Sequence, residues 1–236
     1  MIGPYALACL DMAGTTVRDD GAVEAAFDEA LATVGVTPGT PRHDEAHRFV
    51  RETMGWSKAD VFARLLDQDE AERATARFAS AYEAIVAAGN VEPIAGAPDV
   101  LRDLRAHGVL VCLTTGFAPS TRDALLDALQ WRAAIDLALS PADVGRGRPA
   151  PDLVLGAMAR LGVEDPGAVV VVGDTVSDLE AGTAAHARAV VGVLTGAHDE
   201  ATLTAAPHTA IVPDITGVIG LLERPESSAT GRLDKN

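Results

Sequence analysis

The sequence predicts an α/β protein in which a doubly wound parallel sheet is interrupted, close to its start, by an inserted α-helical cap. Three observations carry this expectation: short apolar runs rich in Val, Leu and Ile, helical patterns that alternate with the later runs, and a long early interval of helical segments with no convincing strand. Strands of a parallel sheet read as near-continuous apolar runs because both faces of the sheet are covered. Helices between them supply the crossovers that parallel neighbours require.

Taken in order, the first strand is expected over Tyr5 to Leu10 and stops at Asp11. The interval from about Val17 to Val91 then holds helical segments at Val23 to Val34, His43 to Arg51, Lys58 to Leu66 and Glu70 to Ala88. Alternation resumes with a helix over Ala97 to His107, a strand over Val109 to Leu113 and a helix over Pro119 to Leu129. A weaker strand at Ile135 to Leu139, a helix at Pro151 to Leu161, a strand at Val169 to Val172 and a helix at Ser177 to Ala185 follow, before strands at Ala189 to Val193 and Ala210 to Val212. The expected division is a Rossmann-like core from residues 1–17 and 91–224, a helical cap from 18–90 and a polar tail from 225–236. Gly and Pro near Val17 to Gly21 and Gly89 to Ile94 suit the two crossings between core and cap to a hinge role.

Composition narrows the function. A chain of 236 residues that is 48% hydrophobic can bury a substantial core but not several large domains. Its net charge of -15 opposes a nucleic-acid surface, which needs clustered Lys and Arg, so a small-molecule partner is expected. Cys9 and Cys112 each lie inside an apolar run and read as reduced core residues. No basic leader precedes the first apolar stretch and no run is long enough for a bilayer, so a cytoplasmic protein without membrane partners is expected. Lys58 and Lys235 are the chain's lysines, the rest of its 19 basic residues being arginine. Lys235 falls in the polar tail, which leaves Lys58 conspicuous.

Chemistry gathers at the ends of the expected strands. Asp11-Met12-Ala13-Gly14-Thr15-Thr16 follows the first strand, at the end where ligands of open α/β sheets bind. Taken alone, Asp and Gly there fit a strand-terminating turn equally well. Further along, Thr114-Thr115-Gly116 ends the second strand, Gly147-Arg148-Pro149 precedes a helix, and Gly173-Asp174-Thr175-Val176-Ser177-Asp178 ends a later strand. Thr115 with the following amides can hold phosphoryl oxygens, Arg148 can meet their charge in a forked contact, and Asp174 can join Asp11 in gripping a hard cation.

These four segments resemble those of the haloacid dehalogenase superfamily over nearly the whole chain, and within it the phosphonatase (phosphonoacetaldehyde hydrolase) branch. The resemblance implies that Asp11 is the nucleophile and that Mg²⁺ is held by Asp11, the carbonyl of Ala13 and Asp174. Asp178 would support the metal site through bound water or by holding neighbouring loops; its other reading is a helix first-turn acid. Ala13, Gly14, Thr15, Thr115, Gly116 and Arg148 would surround the phosphoryl group, and a homodimer paired through the caps is implied.

Ala13 is informative. Phosphatases and mutases of the superfamily usually carry a second Asp there to protonate the leaving alkoxide, whereas phosphonatases share the Ala because their leaving group is carbon. Cleaving a C–P bond needs an electron sink, and a lysine imine supplies one. Met54-Gly55-Trp56-Ser57-Lys58 resembles the phosphonatase Met-Gly-x-x-Lys element, so Met54 and Lys58 are expected to handle substrate, Lys58 by forming the imine. Related phosphatases and mutases place a cation here simply to contact substrate. The chain departs from the phosphonatase pattern at Val61, where a His is usual, at Phe117, where Tyr follows Thr-Thr-Gly, and at Ala22, where a Cys is frequent.

Two enzyme readings therefore stand: a Mg²⁺-dependent C–P hydrolase with a phosphoaspartate intermediate, and a phosphomonoesterase resembling phosphoglycolate phosphatases. A degenerate binding protein on the same fold is the third. The histidines show no metal-ligand spacing; His43 and His47, four apart on a cap helix, read as a solvent-facing pair. The loop Gly192 to His198 is expected to border the pocket.

Overall fold

A computed structural model describes residues 3–223 and places six parallel strands in one sheet of order β3-β2-β1-β4-β5-β6. The strands are β1 (Leu7–Asp11), β2 (Leu110–Thr114), β3 (Leu137–Leu139), β4 (Val169–Gly173), β5 (Ala189–Val193) and β6 (Ala210–Val212). Each falls within or beside an apolar run seen in the sequence. The polar tail expected over 225–236, Lys235 included, lies outside the described residues.

Alternate residues of each strand point to opposite faces, and each face has its own cover. Ala8, Leu10, Val111, Leu113, Val170 and Val172 pack with Val100, Leu101 and Leu104 of α5 (Ala97–Ala106), Leu125 of α6 (Pro119–Ala128) and Val218 of α11 (Thr216–Leu222). Leu7, Cys9, Cys112, Val169 and Val171 pack with Leu153, Val154, Ala157 and Met158 of α8 (Asp152–Leu161). Cys9 and Cys112 are register partners across β1 and β2, and both are buried free thiols. Leu179 of α9 (Val176–Ala184) meets Val190 and Leu203, the latter on α10 (Glu200–Thr204). The sheet is thus wound on both sides, as the apolar runs predict.

Between β1 and α5 the chain forms only helices: α1 (Ala22–Ala32), α2 (Pro41–Glu52), α3 (Lys58–Leu65) and α4 (Gln68–Ala87). Local chemistry sets their starts. Thr40 accepts a hydrogen bond from the His43 amide, with Pro41 in the first turn of α2, and Asp67 accepts from the Glu70 amide at α4. The cap core is aromatic: Phe27, Phe62, Phe78 and Tyr82 hold ring centroids 4.8–6.3 Å apart along successive contacts. Phe117, from the loop after β2, lies 4.6 Å from the Tyr82 ring and joins this cluster to the core beneath. The two crossings pair with each other, the Arg18 amide donating to the Glu92 carbonyl and the Ile94 amide to the Thr16 carbonyl, both at 2.9 Å.

Three short helices were not legible in the periodicity: α7 (Pro141–Val144), α10 and α11. At four to seven residues they are too brief for a 3.6-residue repeat to declare itself. α7 rests instead on a capping box between Ser140 and Asp143.

Phe62 is fully buried at the centre of the cap's ring cluster, whereas Leu155 is exposed. Phe62→Ala is expected to destabilise the protein by about 3–5 kcal/mol in chemical denaturation, and Leu155→Ala by less than about 0.5 kcal/mol.

Candidate active site

The strand order reverses around β1, whose neighbours are β2 and β4, and this switch point opens a crevice at the strands' carboxyl ends. Asp11 closes β1 beside Thr114, which closes β2, and Asp174 follows β4 directly. The turn after Asp11 is tight. The amides of Thr15, Thr16 and Val17 all reach the Met12 carbonyl, at 3.2, 2.9 and 2.7 Å. Gly14 has φ 88°, and a side chain there would lie 2.5 Å from an Asp174 oxygen, so only glycine permits this approach. Asp174 is fixed from two sides: Oδ1 accepts from the Thr15 hydroxyl at 2.9 Å and Oδ2 from the Ala197 amide at 2.7 Å.

Three buried carboxylates surround one guanidinium. Arg148 Nη1 stands 2.6 Å from Asp11 Oδ1 and also contacts Asp178 Oδ1. Burial pushes the Asp11 carboxyl well above its usual range; Arg148 opposes the rise, and Asp178 and Asp174 add to it. Burial, reinforced by Asp178, likewise brings Asp174 up to about 6 against its hydrogen bonds from Ala197 and Thr15. Carboxylates held against their own ionisation are the oxygen donors that a hard divalent cation stabilises. Asp11, Ala13 and Asp174 line one cavity, and this donor set fits Mg²⁺.

Asp178 stands apart from that set. Its oxygens are engaged by Arg148 and by the Thr175 amide and hydroxyl, in a capping box that starts α9, and it does not line the cavity. Arg148, expected to meet a phosphoryl group in a forked contact, is engaged here by Asp11 and Asp178. It is buried and does not line the cavity, with Nε and Nη2 lacking partners among the described residues. Thr15 is likewise buried, its hydroxyl committed to Asp174.

The cavity, about 330 Å³, is shared between core and cap: Asp11, Ala13, Gly14, Thr115, Gly116 and Asp174 line it from one side, Met54, Gly55 and Lys58 from the other. The cap loop lies directly on the core. The Ser177 hydroxyl donates to the Met54 carbonyl at 3.1 Å, and the Lys58 amide to the Gly116 carbonyl at 3.3 Å. A side chain on Gly116 would strike the Trp56 carbonyl. Thr115 accepts from the Phe117 amide at 3.2 Å, which fixes its hydroxyl at the cavity wall.

Lys58 is 7% exposed, with Nζ 5.5 Å from the ring centroids of Phe27 and Phe117 and 5.8 Å from that of Phe78. No carboxylate among the described residues comes within ion-pairing distance of it. Burial, helped by the positive charge of Arg148, lowers its pKa to about 8 against the attraction of Asp11, Asp19 and Asp174.

Asp19 and Tyr82 escaped the sequence reading. Asp19 lines the cavity, accepts from the Val23 amide at 3.0 Å and has its pKa raised by burial. An Asp in a turn before a helix carries no mark that separates it from an ordinary cap. The Tyr82 hydroxyl is buried without a partner, and burial raises its pKa, but in sequence the residue is one more apolar position of α4. The loop after β5 does border the cavity, through Thr195, Gly196, Ala197 and His198. The Thr195 hydroxyl donates to the Gly14 carbonyl at 2.7 Å, and His198 Nδ1 accepts from the Val176 amide at 3.0 Å.

The family model for haloacid dehalogenase-like hydrolases matches residues 5–186. A phosphonoacetaldehyde hydrolase of Bacteroides fragilis is 31% identical over 219 residues, covering 84% of this chain and 80% of that protein. A protein named "Probable phosphatase IndB" of Dickeya dadantii is 31% identical over 226 residues, covering 91% of this chain and 92% of its own. A solved phosphonoacetaldehyde hydrolase-like protein of Oleispira antarctica superposes with a TM-score of 0.80 at 23% identity, over 94% of this chain and 92% of that one, which shows a shared fold. No helix among the described residues is long and apolar enough to cross a membrane.

Mg²⁺ added to metal-free protein is expected to raise Tm, because an ion that binds only the folded state stabilises it. Asp174→Asn should weaken Mg²⁺ binding by at least about tenfold and remove most of that rise. An unchanged rise in the variant would move the metal elsewhere.

Proposed function

The chain belongs to the haloacid dehalogenase-like hydrolases, and from that premise we propose that it cleaves the carbon–phosphorus bond of a small phosphonate aldehyde of the phosphonoacetaldehyde type. The observation that carries this reading is Lys58: a buried primary amine, lowered to about 8, that lines one cavity with Asp11. An amine needed only for charge would gain from a carboxylate partner; an amine needed as a nucleophile must lose its proton readily.

In this reading the neutral Lys58 amine adds to the substrate aldehyde and expels water, forming an imine. The imine nitrogen takes up a proton, Asp11 attacks phosphorus, and the C–P bonding pair moves into the resulting iminium to give a neutral enamine. Water cleaves the aspartyl phosphate, while protonation and hydrolysis of the enamine return Lys58 and release the aldehyde. Ala13 suits this sequence, since no alkoxide departs and no acid is needed at that position. Bound Mg²⁺ would neutralise charge on the phosphoryl oxygens as the Asp11 carboxylate approaches. Arg148 Nη1, 2.6 Å from Asp11 Oδ1, would orient the carboxylate and favour its charged form against burial. Val61 is buried and has no titratable group; Asp19, on the cavity wall but out of direct contact with the amine, would take the Lys58 proton through an intervening water.

A second reading rests on the similarity to the protein named a phosphatase and on Phe117, an apolar residue where phosphonatases carry Tyr. Here Lys58 only contacts a phosphate ester whose leaving group is already acidic.

Borohydride added with phosphonoacetaldehyde is expected to fix an adduct on Lys58, readable by peptide mass, and Lys58→Arg should be as inactive as Lys58→Ala. Asp11→Asn should lower turnover by at least about 10³-fold. Substantial activity in Lys58→Arg, with no adduct in the parent protein, would favour the esterase.

The pH dependence follows from the same amine. Because the neutral form reacts, the neutral fraction, and with it the rate of adduct formation, should rise with pH and level off above about 8. A rate that climbed unabated to the ordinary lysine range near 10.5 would contradict a depressed amine.

A further inference from the structure

The cap carries a second polar cluster, removed from the cavity. His43 and His47 sit one turn apart on α2 and so share a face, and Asp28 reaches them from α1. His43 Nε2 lies 3.1 Å and His47 Nε2 2.5 Å from the same oxygen, Asp28 Oδ1. One ligand atom from each residue falls within 4.8 Å of the others. The imidazoles lie against each other with centroids 4.3 Å apart, and their side chains are only 12% and 15% exposed. The expected solvent-facing pair is instead largely shielded, because a half-exposed carboxylate on a separate helix draws both rings to one point.

We propose that Asp28, His43 and His47 form a binding site for a borderline divalent cation of the Zn²⁺ type. Two imidazoles and a carboxylate are a donor set that such ions take and Mg²⁺ does not favour. A tetrahedral ion with bonds of about 2.0–2.1 Å holds its ligand atoms about 3.3 Å apart, so the Nε2 and Oδ1 atoms need to part by less than about 1 Å. The partly exposed side of Asp28 leaves water access to a fourth position. The ion would tie α1, which begins just after the crossing into the cap, to α2, which runs into the loop bearing Lys58.

The test is calorimetric titration of the full-length protein with Zn²⁺ in excess Mg²⁺, alongside Asp11→Asn, His43→Gln and His47→Gln. The parent and Asp11→Asn are expected to bind one Zn²⁺ per chain at this site and to gain Tm from it. Each His→Gln variant should bind at least about tenfold more weakly. Co²⁺ added to the parent should give the visible absorption of an ion with imidazole ligands, a readout that needs no variant. Absence of a Zn²⁺ isotherm and a Co²⁺ spectrum in the parent, or isotherms in both His variants identical to the parent's, would overturn the proposal.

Discussion

The Arg148 guanidinium stands between Asp11 and Asp178, and three separate stretches of chain meet through it: the end of β1, the loop before α8 and the first turn of α9. Each carboxylate is buried, and a buried charge left without a partner costs several kcal/mol. One cation answering two carboxylates, with Asp174 adjacent, is not enough: burial still prevails over Arg148 at Asp11. The strand ends are thus assembled with a deficit of positive charge, which the proposed Mg²⁺ would make good.

The cap solves the opposite problem. Lys58 is a buried cation among aromatic rings, and its backbone amide is bound to the Gly116 carbonyl of the core. Where its amine stands therefore depends on the cap loop lying on the strand ends. Phe117 extends this dependence, since it contributes to the Lys58 surroundings and also packs against Tyr82 of α4. Under the proposed function this packing matters to the chemistry, because hydration of the amine would restore its proton.

Much of this was legible in the chain. Six strands declared themselves as apolar runs because a two-sided parallel sheet leaves few polar positions, and Asp11, Thr115 and Asp174 stood out by ending those runs. Lys58 was conspicuous because the rest of the basic residues, apart from one in the tail, are arginine. What stayed hidden depended on partners distant in sequence. The place of Arg148 is set by carboxylates from two other elements. His43 and His47 turn inward because of Asp28, fifteen and nineteen residues away. Asp19 and Tyr82 matter only through the cavity that the folded cap encloses, and no local pattern encodes that enclosure.

The paired crossings bear on how such a molecule can change over evolutionary time. Chain entry and exit are hydrogen-bonded side by side, Val17 bridging Pro93, so the four cap helices hang from the sheet as a closed loop with adjacent ends. A segment attached in this way can be lengthened, shortened or exchanged without rethreading any strand. Asp11 and Asp174 stay at the strand ends while Met54 and Lys58 travel with the exchanged piece. Under the proposed function, the architecture would separate inheritance of phosphoryl chemistry from inheritance of substrate choice.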